Sequence, residues 1–223
     1  MWYGGHIVDA VLFDFDFTLA DSSAGAAECA NYALCALGFQ PAEPEVVRRT
    51  VGLSLKESFR LLTGSDDISL ATAYSQRFVE RADQVMEQLT RLYAEVPGTL
   101  EELRRRRIRI AVVSTKFRYR IQAILRRELL VDAVDVIVGG EDVAQHKPHP
   151  EGLQRALALL NTDPSHAVYV GDHPVDAEAA SRARVPFIGV LMGASSAASF
   201  GAFAPVGIIE NVAGLSALLA NLA

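Results

Sequence analysis

Two carboxylates, Asp14 and Asp16, are the residues whose type and spacing most clearly allow chemistry. They end the apolar run of the segment AVLFDFDFTLADS, whose aromatic and β-branched residues predict a buried strand. Because side chains alternate along a strand, the two carboxylates can point in the same direction. Two like charges at such a short distance repel each other unless a cation or a shared proton lies between them. The pair therefore predicts a site that binds a cation or moves a proton.

A second interpretation of this segment is a solvated turn between a strand and a helix. Asp, Thr and Ser are common in turns and helix caps, and Thr18 follows the two carboxylates. However, Phe13, Phe15 and Phe17 surround the carboxylates with apolar side chains, which is unusual for a solvated turn. The segment therefore favours a functional site.

Further polar side chains follow later apolar runs of the chain, namely Ser114 and Thr115 after one run and Asp172 after another. Lys147 lies in the segment HKPHP, a loop or helix start whose backbone Pro148 and Pro150 fix. Asp176 follows Asp172 by one helical turn, so both side chains can face one crevice. Because parallel strands present their carboxyl ends at one edge of a sheet, we expect this set to meet the first two carboxylates there.

The expected set combines carboxylates, hydroxyls and one ammonium group. Hard oxygen ligands of this kind suit Mg²⁺, and hydroxyl and ammonium groups bind phosphoryl oxygens. One carboxylate can attack phosphorus while a second serves as acid and base. Each residue alone is compatible with an ordinary turn or surface position. Their joint occurrence at strand ends predicts a magnesium-dependent site for phosphoryl transfer.

The elements that must position this set alternate between helices and strands from Val96 onwards. The predicted strands after the first are Ile108–Val113, Val134–Val138, Ala167–Val170, Phe187–Leu191 and Gly207–Ile209. Strands separated by helices in this way predict right-handed crossovers and a parallel sheet. The segment Gly193–Ala204 is rich in small residues and predicts a mobile loop.

Residues 24–92 contain no strand pattern and interrupt the chain just after the paired carboxylates. Their apolar residues recur at helical spacing, which predicts several helices. Ser54 and Glu57 form a capping-box pattern at the start of one helix, and Gly64 predicts its end. We therefore expect an all-helical block inserted into the sheet domain.

The composition is that of an ordinary globular protein, because half of the 223 residues are hydrophobic and 22% are charged. A net charge of −6 argues against a general nucleic-acid binder, and the basic run Arg104–Arg107 is interpreted as a solvated helix end. Cys29 and Cys35 are expected to be reduced. The sequence shows neither a membrane-spanning stretch nor a signal-peptide pattern. We expect a cytoplasmic protein that binds neither nucleic acid nor membranes.

Four ordered segments resemble motifs of the haloacid dehalogenase-like hydrolase superfamily. DFDFTL resembles the first motif, VVSTK the second, HKPHP the third and GDHPVD the fourth. VPGTLEEL and GGEDV resemble connecting segments of the branch similar to phosphoglycolate phosphatases, so the resemblance covers essentially the whole chain. It implies an α/β fold with a Rossmann-like parallel-sheet core (residues 1–20 and 93–223). It also implies an inserted all-helical cap domain of the C1 type (residues 21–92), which closes over substrate.

For catalysis and metal binding, the resemblance implies roles for five residues. Asp14 is implied to be the nucleophile and a Mg²⁺ ligand. Asp16 is implied to be the general acid and base, and to give its backbone carbonyl to the metal. Asp172 is implied to be the third metal ligand. Thr18 and Asp176 are implied to support these ligands without binding the metal themselves.

For the phosphoryl group, the resemblance implies Ser114, Thr115 and Lys147 as binding residues. The implied reaction is Mg²⁺-dependent hydrolysis of a small phosphorylated metabolite through an aspartyl-phosphate intermediate. The protein is expected to be a monomer or a homodimer.

The sequence leaves the substrate open. Phe17 stands where many members of the superfamily carry glycine, and it narrows the approach to the leaving group. Lys56, in the segment GLSLKESF, and Arg118 are further candidates for substrate contacts. Asp16 argues against a haloacid dehalogenase or a phosphonoacetaldehyde hydrolase, because both lack this second aspartate. Phosphoglycolate, other sugar phosphates, nucleotides and pyrophosphate all stay candidates.

Two other functions share part of this pattern. A phosphosugar mutase similar to β-phosphoglucomutase uses the same chemistry until a second hydroxyl, instead of water, attacks the phosphorylated enzyme. A receiver-type signalling module also places an acidic cluster, a hydroxyl and a lysine on a parallel sheet. Receivers are much shorter than this chain, and they lack the helical insertion and a GDxxxD segment after the lysine.

Overall fold

The computed structural model of the chain describes residues 8–222, so residues 1–7 and 223 of the predicted core lie outside the described residues. The first elements are β1 (Ala10–Phe13), β2 (Ala20–Asp21), α1 (Ser23–Ala36), α2 (Pro44–Arg48), α3 (Leu55–Thr63), α4 (Ile68–Leu89), β3 (Arg91–Leu92) and α5 (Val96–Arg105). The later elements are β4 (Arg109–Val113), α6 (Arg118–Arg127), β5 (Val136–Val138), α7 (Glu151–Leu160), β6 (Ala167–Gly171), α8 (Pro174–Ala183), β7 (Phe187–Val190), β8 (Gly207–Ile209) and α9 (Leu215–Leu222).

Six strands form one parallel sheet in the order β5–β4–β1–β6–β7–β8. The central strand β1 pairs on one side with β4, where Phe13 lies opposite Val112, and on the other with β6, where Phe13 lies opposite Val170. The chain fills one side of β1 first and then the other, so the strand order reverses beside β1. Ligands bind at such a reversal, outside the carboxyl ends of the strands. The predicted α/β fold with a Rossmann-like parallel sheet is confirmed.

The sheet has an apolar core on each face, which explains why its strands are mostly apolar. Val11 and Phe13 of β1 belong to the core that α5, α6 and α9 cover. Ala10 and Leu12 belong to the opposite core, which α7 and α8 cover. Fully burying one large apolar side chain contributes about 1.5–3 kcal/mol. The two cores therefore fix the strand register that delivers the residues after β1, β4 and β6.

The described chain divides into two compact units. The sheet unit comprises the described parts of Met1–Ala20 and Leu92–Ala223, and the helical unit comprises Asp21–Arg91. The chain passes between them in β2 and in β3, and these two short strands form a sheet of their own.

The helical unit contains α1 to α4 around a core in which Phe59 and Tyr74 are fully buried. Their ring centroids lie 5.4 Å apart. The predicted capping box is confirmed, since Ser54 Oγ accepts from the Glu57 backbone N–H while Glu57 Oε2 accepts from the Ser54 N–H. Gly64 ends α3 in the left-handed conformation that the sequence predicted.

The prediction of a mobile loop over Gly193–Ala204 is wrong for most of that segment. Residues Ala197–Phe203 form a 3₁₀ helix. Phe200 is fully buried in the core under α8, with its ring centroid 5.5 Å from that of Phe187. Phe203, which is partly buried, packs against the same core. Two aromatic residues therefore anchor a run of small residues whose composition alone resembles a loop.

Three smaller predictions concern surface and solvent. Residues 104–107, at the end of α5, are all exposed, so the interpretation of the basic run as a solvated helix end is confirmed. Cys29 is buried, Cys35 is exposed, and neither forms a disulfide within residues 8–222. Within residues 8–222, no helix combines the length and the apolar character that crossing a membrane requires.

Candidate active site

Each of the three central strands of the sheet ends in a polar residue at the point where the strand order reverses. Asp14 follows β1, Ser114 follows β4 and Asp172 follows β6. The Asp14 N–H donates to the Val170 carbonyl over 2.8 Å. The Ser114 N–H donates to the Val138 carbonyl over 3.1 Å. The parallel hydrogen-bond pattern of the sheet therefore continues into the site and holds its backbone.

The segment after Asp14 turns tightly and buries its aromatic residues. The Phe15 carbonyl accepts from the Leu19 and Ala20 N–H groups over 2.9 and 3.0 Å, and the Phe17 N–H donates to the Ala20 carbonyl over 2.7 Å. Phe17 has φ +57°, a left-handed conformation that favours glycine. Its ring is nevertheless buried. Burial of the aromatic ring offsets part of the cost of this backbone conformation.

Three buried carboxylates converge beside this turn. Ligand oxygens of Asp14, Asp172 and Asp176 lie within 4.8 Å of one another. Asp16 is also buried. Two ammonium groups contact three of these four carboxylates: Lys116 contacts Asp16, and Lys147 contacts Asp14 and Asp176. Four carboxylates against two ammonium groups leave an excess of two negative charges. The charge and the hard oxygen donors of this cluster fit a divalent cation such as Mg²⁺.

Lys147 lies at the centre of the cluster. Its Nζ is 2.9 Å from Asp14 Oδ1 and 2.6 Å from Asp176 Oδ1. It also donates to the Tyr169 hydroxyl over 3.2 Å. That hydroxyl lies 3.1 Å from both Asp176 Oδ1 and the Val113 carbonyl, to which it can donate. Lys147 is thus held between β1, β4, β6 and α8.

Burial changes the protonation of the cluster. Burial raises the pKa of Asp14 to about 6; Lys147 opposes this shift, and Asp176 and Asp16 add to it. Burial, followed by the charges of Asp176 and Asp14, also raises the pKa of Asp172 well above its usual range. Burial lowers the pKa of Lys147, but Asp14 and Asp176 outweigh that effect and hold it above its usual range. A bound cation would therefore favour the ionised form of these carboxylates.

Asp172 and Asp176 are fixed by close backbone approach as well as by charge. A Cβ atom on Gly193, in the turn after β7, would overlap Asp172 Oδ2. A Cβ atom on Gly171 would lie 2.7 Å from the Asp176 side chain. Asp176 Oδ2 accepts from the His173 N–H over 3.0 Å, which ties this carboxylate to the start of α8. Both glycines are required because a side chain would occupy the space of a carboxylate.

Asp16 has a separate partner. Its Oδ1 lies 3.1 Å from Lys116 Nζ, and the side chains of the two residues are 10% and 6% exposed. Lys116 lies two residues after Ser114, and its backbone N–H donates to Ser114 Oγ over 3.4 Å. The turn after β4 therefore supplies both a hydroxyl and a second ammonium group to the site.

The predicted phosphate-binding residues lie together. Ser114, Thr115 and Lys147 line one pocket together with Gly139. Thr18 is fully buried in the turn after Asp16, and among the described residues its hydroxyl has no hydrogen-bond partner. The six other predicted residues at the sheet edge, namely Asp14, Asp16, Ser114, Lys147, Asp172 and Asp176, are also buried.

Lys56 and Arg118, two residues predicted to contact substrate, have exposed side chains. Lys56 is the second residue of α3 in the helical unit, and it is exposed. Arg118 begins α6, and its side chain is 48% exposed. Its Nη2 lies 3.5 Å from Asp142 Oδ1, and its backbone N–H donates to Glu141 Oε2 over 2.8 Å. Arg118 is thus engaged by the segment after β5.

Lys116 and Tyr169 lie in the site but are not among the residues that the sequence predicted for it. Lys116 carried a signal, because it directly follows the two hydroxyl residues after β4. Tyr169 carried a weaker one, since a tyrosine within a buried apolar strand needs a hydrogen-bond partner for its hydroxyl. Neither signal identifies the partner, which comes from another strand.

Comparison with known proteins agrees with this geometry. The sequence pattern of the family described as haloacid dehalogenase-like hydrolase matches residues 11–190. A haloacid dehalogenase-like hydrolase from Bacteroides fragilis is 40% identical, with a TM-score of 0.90. That match covers 93% of this chain and 99% of the other.

Two further relatives match over nearly their whole length. Pyrophosphatase PpaX of Bacillus mycoides is 28% identical over 215 residues, which are 96% of this chain and 98% of the relative. A predicted phosphoglycolate phosphatase from Haemophilus somnus is 22% identical, with a TM-score of 0.83 over 94% of this chain and 97% of the other, and shows the fold alone. Because the family pattern runs from β1 to the end of β7 and spans every residue of the sheet-edge site, the chain belongs to the haloacid dehalogenase-like hydrolase family.

Proposed function

We propose that the protein is a Mg²⁺-dependent phosphatase that hydrolyses a small phosphorylated metabolite through an aspartyl-phosphate on Asp14. The observation that carries this proposal is the position of Asp14, buried after β1 between Lys147 and the carboxylates of Asp172 and Asp176. A carboxylate so placed has an ammonium group beside it to bind phosphoryl oxygens and other carboxylates to hold a metal.

The proposed reaction has two steps. A carboxylate oxygen of Asp14 attacks phosphorus, the bond to the leaving oxygen breaks, and Asp16 gives that oxygen its proton. Asp16 then takes a proton from water, which attacks the aspartyl-phosphate and releases inorganic phosphate and free Asp14. Lys147, Ser114 and Thr115 hold the oxygens of the transferred group through both steps.

Asp14, Asp172 and the backbone carbonyl of Asp16 are the proposed Mg²⁺ ligands, and Asp176 and Thr18 support them. When bound, the cation neutralises charge on the carboxylates and on the phosphoryl oxygens. The contact between Asp176 and Lys147 supports a role for Asp176 in orienting the lysine, because its Oδ1 is already 2.6 Å from the ammonium nitrogen.

The proposal extends to the surroundings of the site. The helical unit is proposed to act as a cap that closes over substrate and excludes water. Phosphoglycolate and pyrophosphate are both considered as substrates, since relatives carry the names phosphoglycolate phosphatase and pyrophosphatase. The proposed protein is a cytoplasmic monomer or homodimer that binds neither nucleic acid nor membranes. The two cysteines form no disulfide, which fits a reducing compartment, and the net charge of −6 fits a protein that does not bind nucleic acid.

Phosphate release from a panel of phosphorylated metabolites tests the proposal. We expect release from at least one compound with Mg²⁺ and none with a chelator. The Asp14→Asn variant should lose about 10³-fold or more in kcat, because the nucleophile is gone. Asp66→Asn, a change at an exposed residue of the helical unit, is the matched control and should keep full activity.

Two results would contradict the proposal. Full activity of Asp14→Asn would exclude this residue as the nucleophile. Conversion of a sugar phosphate into its isomer, with no phosphate released, would identify a mutase instead.

A further inference from the structure

The two buried ammonium groups of the site differ in how many of their protons have protein acceptors. A lysine ammonium has three N–H donors. All three face a protein acceptor in Lys147, which donates to Asp176 Oδ1 and the Tyr169 hydroxyl and lies 2.9 Å from Asp14 Oδ1 in an ion pair. Its contacts hold the site together before any substrate binds.

Lys116 has one such partner. Its Nζ lies 3.1 Å from Asp16 Oδ1, and within residues 8–222 this is the contact that its ammonium makes. The side chain is 6% exposed, so little water reaches the two other N–H donors. Leaving donors of a charged group unsatisfied in such a place is costly. The free donors therefore point to an acceptor that arrives with a ligand.

The position of Lys116 relative to Asp16 indicates which part of a ligand it meets. Asp16 is the residue proposed to protonate the leaving oxygen, so a group 3.1 Å from its carboxylate lies beside the leaving group. Lys147 lies instead against Asp14, where the transferred phosphoryl group attaches. Lys147 is thus placed to bind the transferred phosphoryl group, and Lys116 is placed to bind the leaving group.

We infer that Lys116 is a specificity residue that binds an anionic oxygen on the leaving group. The substrate class is then a phosphate ester or anhydride whose leaving group carries its own negative charge, either a carboxylate or a second phosphate. This inference rests on the proposed function, because it assigns Asp16 to the leaving group. A neutral leaving group would leave the Lys116 donors without an acceptor.

Matched pairs of substrates test the inference. Phosphoglycolate is compared with 2-hydroxyethyl phosphate, which replaces the carboxylate by a hydroxymethyl group, and pyrophosphate is compared with methyl phosphate. The first pair tests a carboxylate and the second a phosphate. The quantity measured is kcat/KM for each compound in the wild type, in Lys116→Met and in Lys116→Arg.

We expect the wild type to prefer the anionic member of at least one pair. Lys116→Met should reduce that preference by about 10- to 100-fold, the scale of a hydrogen bond to a charged group. Lys116→Arg keeps the charge and should retain most of the preference. Comparing the ratio before and after substitution cancels the intrinsic reactivity of each compound.

Equal losses on both members of each pair would overturn the inference, because Lys116 would then act only through Asp16. A wild type without preference in either pair would overturn it as well.

Calorimetric titration of the Asp14→Asn variant with the same four compounds gives a readout that does not need turnover. Tighter binding of the anionic members, lost on adding Lys116→Met, supports the inference even if the proposed hydrolysis fails. Equal binding of all four compounds contradicts the inference, whereas absent hydrolysis by the wild type contradicts only the proposed function.

Discussion

The charge of Asp14 opposes folding when no cation is bound. Its pKa is raised from 3.8 to about 6, chiefly by burial. A carboxyl group whose pKa is higher in the folded chain binds its proton more tightly there. The resulting stabilisation is fully present below the unfolded pKa and is lost as the pH rises through the folded value. Above about pH 6, the ionised group therefore destabilises the fold.

The Asp14→Asn variant should consequently be more stable than the wild type when divalent cations are absent. At about pH 7.5 we expect a gain of about 1–3 kcal/mol in the free energy of unfolding, because a shift of one pKa unit is worth about 1.4 kcal/mol. The gain should shrink as the pH falls towards about 4.5. Thermal and urea unfolding with a chelator measure it.

Asp66→Asn serves again as the exposed control and should leave stability unchanged. A variant less stable than the wild type at neutral pH would show that the ion pair between Asp14 and Lys147 outweighs the cost of burial.

The sequence predicts the positions of some residues in the site but not all of the contacts between their side chains. Asp14, Ser114 and Asp172 could be predicted to converge, because each directly follows a recognisable strand of one parallel sheet. The contact of Lys116 with Asp16 could not, since a lysine side chain is long and several acidic residues stand within its reach. Side-chain direction in a turn depends on local backbone angles that the pattern of residues does not specify.

Among the elements, the turn after β7 approaches the Asp172 side chain closely. Gly193 leaves room for the Asp172 carboxylate only because it has no Cβ. Gly193→Ala should therefore displace Asp172 and raise the Mg²⁺ concentration for half-maximal activity about tenfold or more. Gly201→Ala is the matched control, because a Cβ there meets no atom within 4 Å.

A metal titration of both variants measures this effect. An unchanged titration for Gly193→Ala would show that the turn yields to the added methyl group, or that Asp172 is not a ligand.

The same turn illustrates which elements the sequence could predict. The strands β1, β4 and β6 have continuous apolar runs with clear ends, so the sequence predicted them within about two residues. The 3₁₀ helix after β7 lacks such a pattern, because its core contacts come from two aromatic residues, the buried Phe200 and the partly buried Phe203. Two aromatic residues in a segment of small residues are too few to show a period.

At the scale of the whole molecule, separate apolar cores indicate separate unfolding. Two clusters of buried residues lie in the helical unit and two in the sheet unit. Phe59→Ala should cost about 3–5 kcal/mol in the helical unit, because it leaves a cavity beside Tyr74. Hydrogen exchange should then lose protection in α1 to α4 and keep it in β1, β4 and β6.

Phe200→Ala is the reciprocal variant, since Phe200 is equally buried in the sheet unit. We expect it to lower protection in the sheet unit alone. Loss of protection throughout the molecule in either variant would mean that the two units unfold as one.

The pairing of β2 with β3 has a consequence for how this chain can vary. Adjacent strands lie about 5 Å apart, so the two ends of the helical unit meet side by side where they join the sheet unit. A segment whose ends coincide can be lengthened, shortened or replaced without stretching the flanking chain. We therefore expect that the helical unit can be exchanged as a whole: a chimera that replaces residues 21–91 keeps Ala20 and Leu92, all six strands of the parallel sheet and every acidic residue at its edge.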